Sequence, residues 1–271
     1  MRDGRVAQAE LGQIEFRAAL PDQPCALPLR ARTEPLVAIC MATFNPDITR
    51  FRRQIETLRA QTYPHWVCII SDDASEPARL AEMQQVLAGD DRFVLIANTE
   101  RLGFYHNFER ALAFAPQEAA FIALADQDDD WCPHKLAACV AQFTSETLLV
   151  YSDLRIVSDT GDVWASTFWE RRRNNFTDLG ALVMLNTVPG AATVIRRELL
   201  EAVLPFPPRL NQLIHDHWIA VMALTLGKLA FVDEPLYDWI QHQANVLGFG
   251  EQPRPSRWQL LREAMRRLFT V

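Results

Sequence analysis

A bilayer-spanning apolar run is missing from this chain of 271 residues. The nearest approach, "IAVMALTLGKLAFV", is interrupted by Gly227 and Lys228 and reads as a buried helix turning into a strand. The N-terminal "MRDGRVAQAELGQIEF" lacks the apolar stretch of a signal peptide. Five cysteines, an odd number with no C-x-x-C pair, argue against a disulfide framework. Cys40 and Cys68 fall inside apolar strand-like runs, where thiols behave as small hydrophobes. A reducing, cytoplasmic location is therefore expected. Basic charge is also short: Lys+Arg 27 against Asp+Glu 34 gives −7, with a pI near 5.4. No nucleic-acid partner held by general electrostatics is expected. No G-x-G-x-x-G follows the first predicted strand, and no G-x-x-x-x-G-K-[ST] occurs, which argues against a dinucleotide fingerprint and a P-loop.

What is there is an alternation of buried strands and amphipathic helices, beginning at Pro35. "LVAICMATFN" is a continuous apolar run ending in polar residues. "DITRFRRQIETLRAQ" then places Ile48, Phe51, Ile55 and Leu58 on one helical face behind Asp47 as N-cap. "WVCIIS" is a second strand, followed by a helix that Ser75 is expected to cap and Gly89 to close. "RFVLIAN", "FYHNFERALAFA" and "FIALAD" continue the pattern, which implies an α/β domain with a mostly parallel central sheet flanked by helices. After "LLVYSDL" the period loosens through "RIVSDTGDVWASTFWERRRNNF", where specificity is expected to reside. Residues 1–34 read as a leader of uncertain structure, 35–250 as the main domain and 251–271 as an amphipathic helix.

Polar residues gather at the carboxyl ends of successive predicted strands: Thr43 and Asn45, Asp72 and Asp73, Asn98 with Arg101 and Gly103, then Asp126, Asp128, Asp129 and Asp130. In open α/β sheets that edge is where ligands bind. Like charges packed there repel unless a cation sits among them, and a hard divalent ion with oxygen ligands is the usual resolution.

The segments "VAICMATFN", "QTYPHWVCIISDDAS", "NTERLGFYHNFERAL", "ALADQDDDWCPHKL", "VYSDL", "NTVPGAATVIRREL", "LPFP", "HDHWIA" and "QHQANVLG" cover residues 37–248. In that order the chain resembles the family 2 glycosyltransferases of the GT-A fold, in particular the rhamnosyltransferase-like branch of bacterial surface polysaccharide synthesis. The resemblance implies an inverting, metal-dependent transferase that moves a sugar from a nucleotide-sugar donor, dTDP-rhamnose favoured, to a glycan or lipid-linked glycan acceptor. It implies that Thr43, Asn45, Asp72, Asp73, Arg101, Gly103 and Asp126 bind the donor nucleotide. Asp128 of the D-x-D stretch would ligate Mg²⁺ or Mn²⁺, with Asp129 extending the network, and Asp216 would act as catalytic base. Gly190, Thr193, His215, Trp218, Gln241 and His242 are further donor or acceptor contacts on the same ground. Ile240 stands where this branch often carries an Arg before the Gln–His pair.

Other readings of the same residues stand beside these. Asp72 and Asp73 also suit helix caps. His215-Asp216-His217 suggests a metal cluster, but adjacent helical positions do not face one another. Trp164 and Trp169 suit packing as well as sugar platforms, and Arg171–Arg173 a solvated face. The stripe Trp258, Leu261, Met265, Leu268 and Phe269, with Arg257, Arg262, Arg266 and Arg267, suits either packing on the domain or peripheral contact with an anionic membrane. A sugar nucleotidyltransferase and a catalytically silent nucleotide-binding module are the rival functions. The first expects a Gly-rich basic loop, which "MATFNPDITR" does not supply, and the second does not explain intact Asp128 and Asp216.

Overall fold

In this computed structural model residues 34–171, 173–208 and 214–242 are described. The expected leader, up to Thr33, and the expected C-terminal helix lie outside them. Among the described residues no helix is long and apolar enough to cross a membrane.

The continuous apolar runs become buried parallel strands because helices cover both faces of the sheet. Strand β1 (Leu36–Thr43) has only Ala42 half-exposed, and β2 (Trp66–Asp72) is buried throughout. Helix α1 (Ile48–Arg59) starts at Asp47, whose Oδ1 accepts from Thr49 N (3.0 Å) and Arg50 N (3.1 Å). Its Phe51, Ile55 and Leu58 are buried against the core. Helix α2 (Pro77–Leu87) departs from expectation: it opens on Pro77 with no side-chain cap. Ser75 is occupied elsewhere, accepting from Asn45 N (2.7 Å) and donating to Asp72 Oδ1 (2.6 Å). That hydroxyl joins the loops after β1 and β2, and an N-cap bond is lost for it. Strand β3 (Phe93–Ala97), helix α3 (Gly103–Ala113) and strand β4 (Ala119–Ala125) complete the regular half.

Two further elements follow the acids, β5 (Asp130–Trp131) and α4 (Lys135–Val140). Then come β6 (Thr147–Ser158), β7 (Val163–Ala165), a 3₁₀ turn at Phe168–Arg171 and α5 (Leu179–Met184). A second 3₁₀ turn at Gly190–Ala192 leads into β8 (Thr193–Arg196), then α6 (Leu200–Val203), α7 (His215–Leu226) and β9 (Lys228–Gln241). The strand order is β3-β2-β1-β4-β8-β6-β9-β5, with β7 paired to β6. The pairs β3-β2, β2-β1 and β1-β4 are parallel, as expected. From β4 onward the sheet is mixed: β8 is antiparallel to both β4 and β6, β9 is parallel to β6, and β5 is antiparallel to β9.

The helix-to-strand reading of "IAVMALTLGKLAFV" holds, and Gly227 is the reason the junction closes. A Cβ there would sit 2.8 Å from both Glu146 O and Leu148 Cγ, so only glycine lets α7 turn directly into β9.

Candidate active site

The carboxyl ends of β1, β2 and β4 open onto a cavity of about 910 Å³. It is lined by Thr43, Asp73, Arg101, Gly103, Asp126 and Asp128 on one side and by Asn186, Gly190, His215 and Asp216 on another. Six of the donor-side residues singled out from the resemblance thus share one wall system with three of the acceptor-side ones, Gly190, His215 and Asp216. Leu154, Phe168, Tyr237 and Trp239 add an apolar lining that the sequence reading did not name. Of the tryptophans weighed as sugar platforms, Trp169 packs against Phe168 and Phe231, and Trp164 is exposed.

Several expected residues stand behind the cavity. Asp72 is fully buried and held by its neighbours: Oδ1 accepts from Thr43 Oγ1 (3.0 Å) and Ser75 Oγ, and Oδ2 from Ser75 N (2.8 Å). Asn45, with φ +39°, accepts from Glu76 N (2.9 Å) and ties the β1 loop to α2. Thr193 donates to Gly190 O (2.7 Å), and Trp218 Nε1 to Val203 O (3.0 Å), so each braces backbone. Asp129 is buried, with Oδ1 accepting from Ile240 N (3.3 Å) and Oδ2 without a partner among the described residues. Gln241 is buried at the end of β9.

The nucleotide end is built by carboxylates that organise loops. Asp73 accepts from Leu102 N (2.6 Å) through Oδ1 and from Gly103 N (2.9 Å) through Oδ2, which fixes the turn into α3. Gly103 takes φ +78° there. The Arg101 guanidinium lies 3.8 Å from the Phe44 ring centroid and 3.8 Å from Asp73 Oδ2. Gln127, between the two acids of the D-x-D stretch, accepts from Phe44 N (2.9 Å) and so locks the β4 loop to the β1 loop.

Beyond β4, His242 Nε2 donates to Asp128 Oδ2 (3.0 Å) across 114 residues of chain. Burial pushes the Asp126 carboxyl up to about 7, and the charges of Asp128 and Asp216 add to the rise. Asp129 is raised in the same direction, by burial first and then by Asp126 and Asp128. Among the described residues no three His, Cys, Asp or Glu side chains converge as a metal cluster by themselves. The arrangement nevertheless fits a hard divalent ion. Mg²⁺ in particular is habitually held by one or two carboxylates, with phosphate oxygens and water as its other ligands. The mutual repulsion of the acids is what such a charge relieves.

Asp216 sits in the first turn of α7, 8% exposed. Its Oδ1 accepts from Asn186 Nδ2 (3.0 Å) and His217 N (2.6 Å), and its Oδ2 from Gly190 N (3.1 Å). Burial pushes this carboxyl up to about 7 against the pull of those donors, a value suited to a base working near neutrality. The flanking imidazoles are engaged by other groups. His215 stacks on Phe108 with ring centroids 3.9 Å apart, and burial pushes its imidazole down to about 3. His217 Nε2 meets Leu182 O at 2.7 Å. Gly190 is closely enclosed: a Cβ would lie 3.1 Å from His215 Nε2 and 3.2 Å from Asp216 Cβ. Asn186 belongs to the "NTVPG" segment but was given no role from sequence. Its function appears only once α7 is folded beside it.

These features define an α/β architecture, the GT-A fold. Solved structures share it: Staphylococcus aureus TarS in complex with UDP-GlcNAc superposes with TM-score 0.61 at 14% identity, over 88% of this chain and 67% of that one. The mannosyltransferase PcManGT from Pyrobaculum calidifontis, in complex with GDP-Man and Mn²⁺, gives TM-score 0.57 at 16% identity, over 79% and 59%. The profile described as Glycosyl transferase family 2 matches residues 38–204, and the chain belongs to that family. An uncharacterized glycosyltransferase of Nostoc sp. is 27% identical over 202 residues, 71% of this chain and 61% of that protein. A protein of Escherichia coli named as a colanic acid biosynthesis glycosyl transferase, WcaA, is 29% identical over 110 residues, 41% of this chain and 38% of its own length. The matched stretches span between 15% and 61% of the curated relatives.

Proposed function

We propose that this protein is an inverting, metal-dependent glycosyltransferase of surface polysaccharide biosynthesis, with dTDP-rhamnose as favoured donor and a glycan or lipid-linked glycan as acceptor. One observation carries the reading: Asp126 and Asp128 line the same cavity as Asp216, close enough that the Asp216 charge raises Asp126. Cation-binding acids and a base of suitable affinity therefore face one substrate-sized space. The relatives' association with colanic and teichuronic acid biosynthesis supports the polysaccharide context.

In this reading the donor nucleotide lies along Thr43, Asp73 and the Arg101–Gly103 turn. Asp128, with His242 against it, would hold Mg²⁺ or Mn²⁺, which supplies Lewis-acid stabilisation for charge growing on the departing diphosphate. Asp216 takes the proton of the acceptor hydroxyl as it attacks the anomeric carbon. Its three N–H donors orient the carboxylate, and the neutral His215 beside it adds no competing charge. Attack on the face opposite the leaving diphosphate inverts the anomeric carbon, through a transition state of oxocarbenium character.

The test has two stages. Thermal-shift screening of dTDP, UDP and GDP with Mn²⁺ identifies the nucleotide, since a ligand bound only by the native state raises apparent stability. Turnover of dTDP-rhamnose, UDP-N-acetylglucosamine and GDP-mannose is then followed by product. Release of nucleoside diphosphate is expected. Formation of nucleoside triphosphate and sugar 1-phosphate, dependent on added pyrophosphate, would identify a nucleotidyltransferase, and binding without turnover of any sugar nucleotide a silent module.

A further inference from the structure

A lysine occupies one of the most enclosed places in the molecule. Lys135, the first residue of α4, is 0% exposed. Its Nζ lies 3.3 Å from the centroid of the Trp131 ring and 4.8 Å from that of Tyr237, a cross-strand pair of β5 and β9. The same ammonium donates to Ala191 O in the Gly190–Ala192 turn. The start of α4 is fixed independently, by Leu136 N donating to Gln61 Oε1 (3.1 Å) and Gln61 Nε2 donating to Cys132 O (2.8 Å).

Burying an ammonium is expensive, and a methionine of similar shape would fill the slot without that penalty. Methionine would lose the bond to Ala191 and the positive charge that acts on Asp129 and Asp126. Burial pushes the Lys135 ammonium down to about 7, opposed by those carboxylates among others. The aromatic faces of Trp131 and Tyr237 favour the charged form from two sides. The far end of the connection is the catalytic carboxylate: Ala191 adjoins Gly190, whose N–H holds Asp216 Oδ2 at 3.1 Å. Thr193 closes the same turn from the other side through Gly190 O.

We propose that Lys135 is a positioning residue that couples the acid loop to the base, fixing the carbonyl of the turn whose adjacent N–H orients Asp216. This rests on the reading of Asp216 as base. The arrangement brings a single buried cation into bonding or electrostatic range of both halves of the cavity. The donor-side acids and the acceptor-side turn are then set relative to each other by one side chain rather than by their separate strands.

The experiment uses the full chain with Lys135→Met, and with whichever of the three sugar nucleotides the wild type turns over. Misplacement of a reacting group by about 1 Å costs on the order of 10²-fold, so kcat should fall by about that factor. Mn²⁺-dependent affinity for the nucleoside diphosphate should not fall, because removing a positive charge that acts on Asp126 and Asp129 favours a cation there, so the loss in kcat is not a loss of donor binding. In an Asp216→Asn background the same substitution should change turnover by less than about threefold, since two residues acting through one group are not additive. Amide hydrogen exchange should rise at residues 189–193 while β1 to β3 stay protected. Unchanged kcat and unchanged exchange at 189–193 would overturn the proposal, as would an additive loss in the double variant. Lys135→Gln, uncharged and one atom shorter, serves the same readouts if Lys135→Met does not accumulate as folded protein. Failure of the base assignment shows separately, as wild-type turnover by Asp216→Asn alone, and leaves the exchange readout valid.

Discussion

Replacing Asp216 by Asn changes one oxygen for an amide group, and the structure states what each half of that change does. Oδ1 accepts two N–H groups, from Asn186 and His217, and Oδ2 accepts one, from Gly190. An Asn carbonyl placed at the Oδ1 position keeps the first two. Its NH₂ then faces the Gly190 N–H, which loses its acceptor at a cost of about 1–3 kcal/mol. Against this stands the charge. The native carboxyl is raised from 3.8 to about 7, so the stability linked to its proton is fully present below the unfolded value and is lost as pH rises through the folded one. On the order of 4 kcal/mol is given up over that window. The Asn variant has no such loss. It should be less stable than wild type near pH 4 by about 1–3 kcal/mol, and the gap should close or reverse near pH 8. Catalysis should change differently: turnover falls by on the order of 10² to 10⁴ in both kcat and kcat/KM. With Mn²⁺ saturating, the wild-type rate should rise with pH toward about 7 and then level, and the Asn variant should lack that limb. Denaturant melts at the two pH values and a pH–rate series measure all of this. Turnover near the wild-type rate would mean that another residue takes the proton.

Three further outcomes follow from other parts of the cavity. Asp128→Asn should lower Mn²⁺-dependent nucleotide affinity by more than about tenfold without unfolding the protein, since it relieves the charge that helps raise Asp126; unchanged affinity by calorimetry would remove Asp128 from the cation site. Gly190→Ala should place a methyl 3.1 Å from His215 Nε2 and cost about 1–3 kcal/mol together with turnover; an unchanged thermal midpoint and kcat would show that the turn yields freely. Asp73→Ala should leave Leu102 N and Gly103 N without their acceptor, weakening nucleotide binding and hydrogen-exchange protection at the start of α3 together; loss of one without the other would separate the loop from the ligand.

The regular half of the fold was legible because its signals are local. A buried parallel strand is an apolar run, a capped amphipathic helix repeats every three or four residues, and β1 through β4 follow that grammar. The second half is set by pairings that no short window contains. Strand β8 inserts antiparallel between β4 and β6, and β5, two residues long, exists only because β9 arrives beside it from a hundred positions away. The site divides in the same way. Thr43, Asp73, Arg101 and Asp128 could be named because they follow strand ends in sequence. Asn186 and Lys135 could not, since an Asn in a loop and a Lys at a helix start both read as solvent-facing. Ser75 was misjudged for a related reason: a serine before a helix reads as a cap, and only the neighbouring loop shows that its hydroxyl is engaged by Asn45 and Asp72.

The acids on this sheet edge also sort themselves by who donates to them. Asp72 is satisfied by Thr43 and Ser75, Asp73 by the backbone of the α3 turn, Asp129 in part by Ile240 N, and Asp216 by three N–H groups. Asp128 meets His242 through one oxygen, and Asp126 receives no hydrogen bond from the described residues. A carboxylate that the chain equips with donors is part of the frame, whatever its sequence neighbours suggest. One left without them, as Asp126 is, raised by burial first and then by its like-charged neighbours, is stable as an anion only when something positive reaches it. The D-x-D pair is therefore distinguished from Asp72-Asp73 less by spacing than by what the fold declines to give it. The same criterion makes Asp216 a different kind of acid from both. Its donors hold it in place and favour its charge, while burial restrains that charge until near neutrality, which is the balance that a proton acceptor requires.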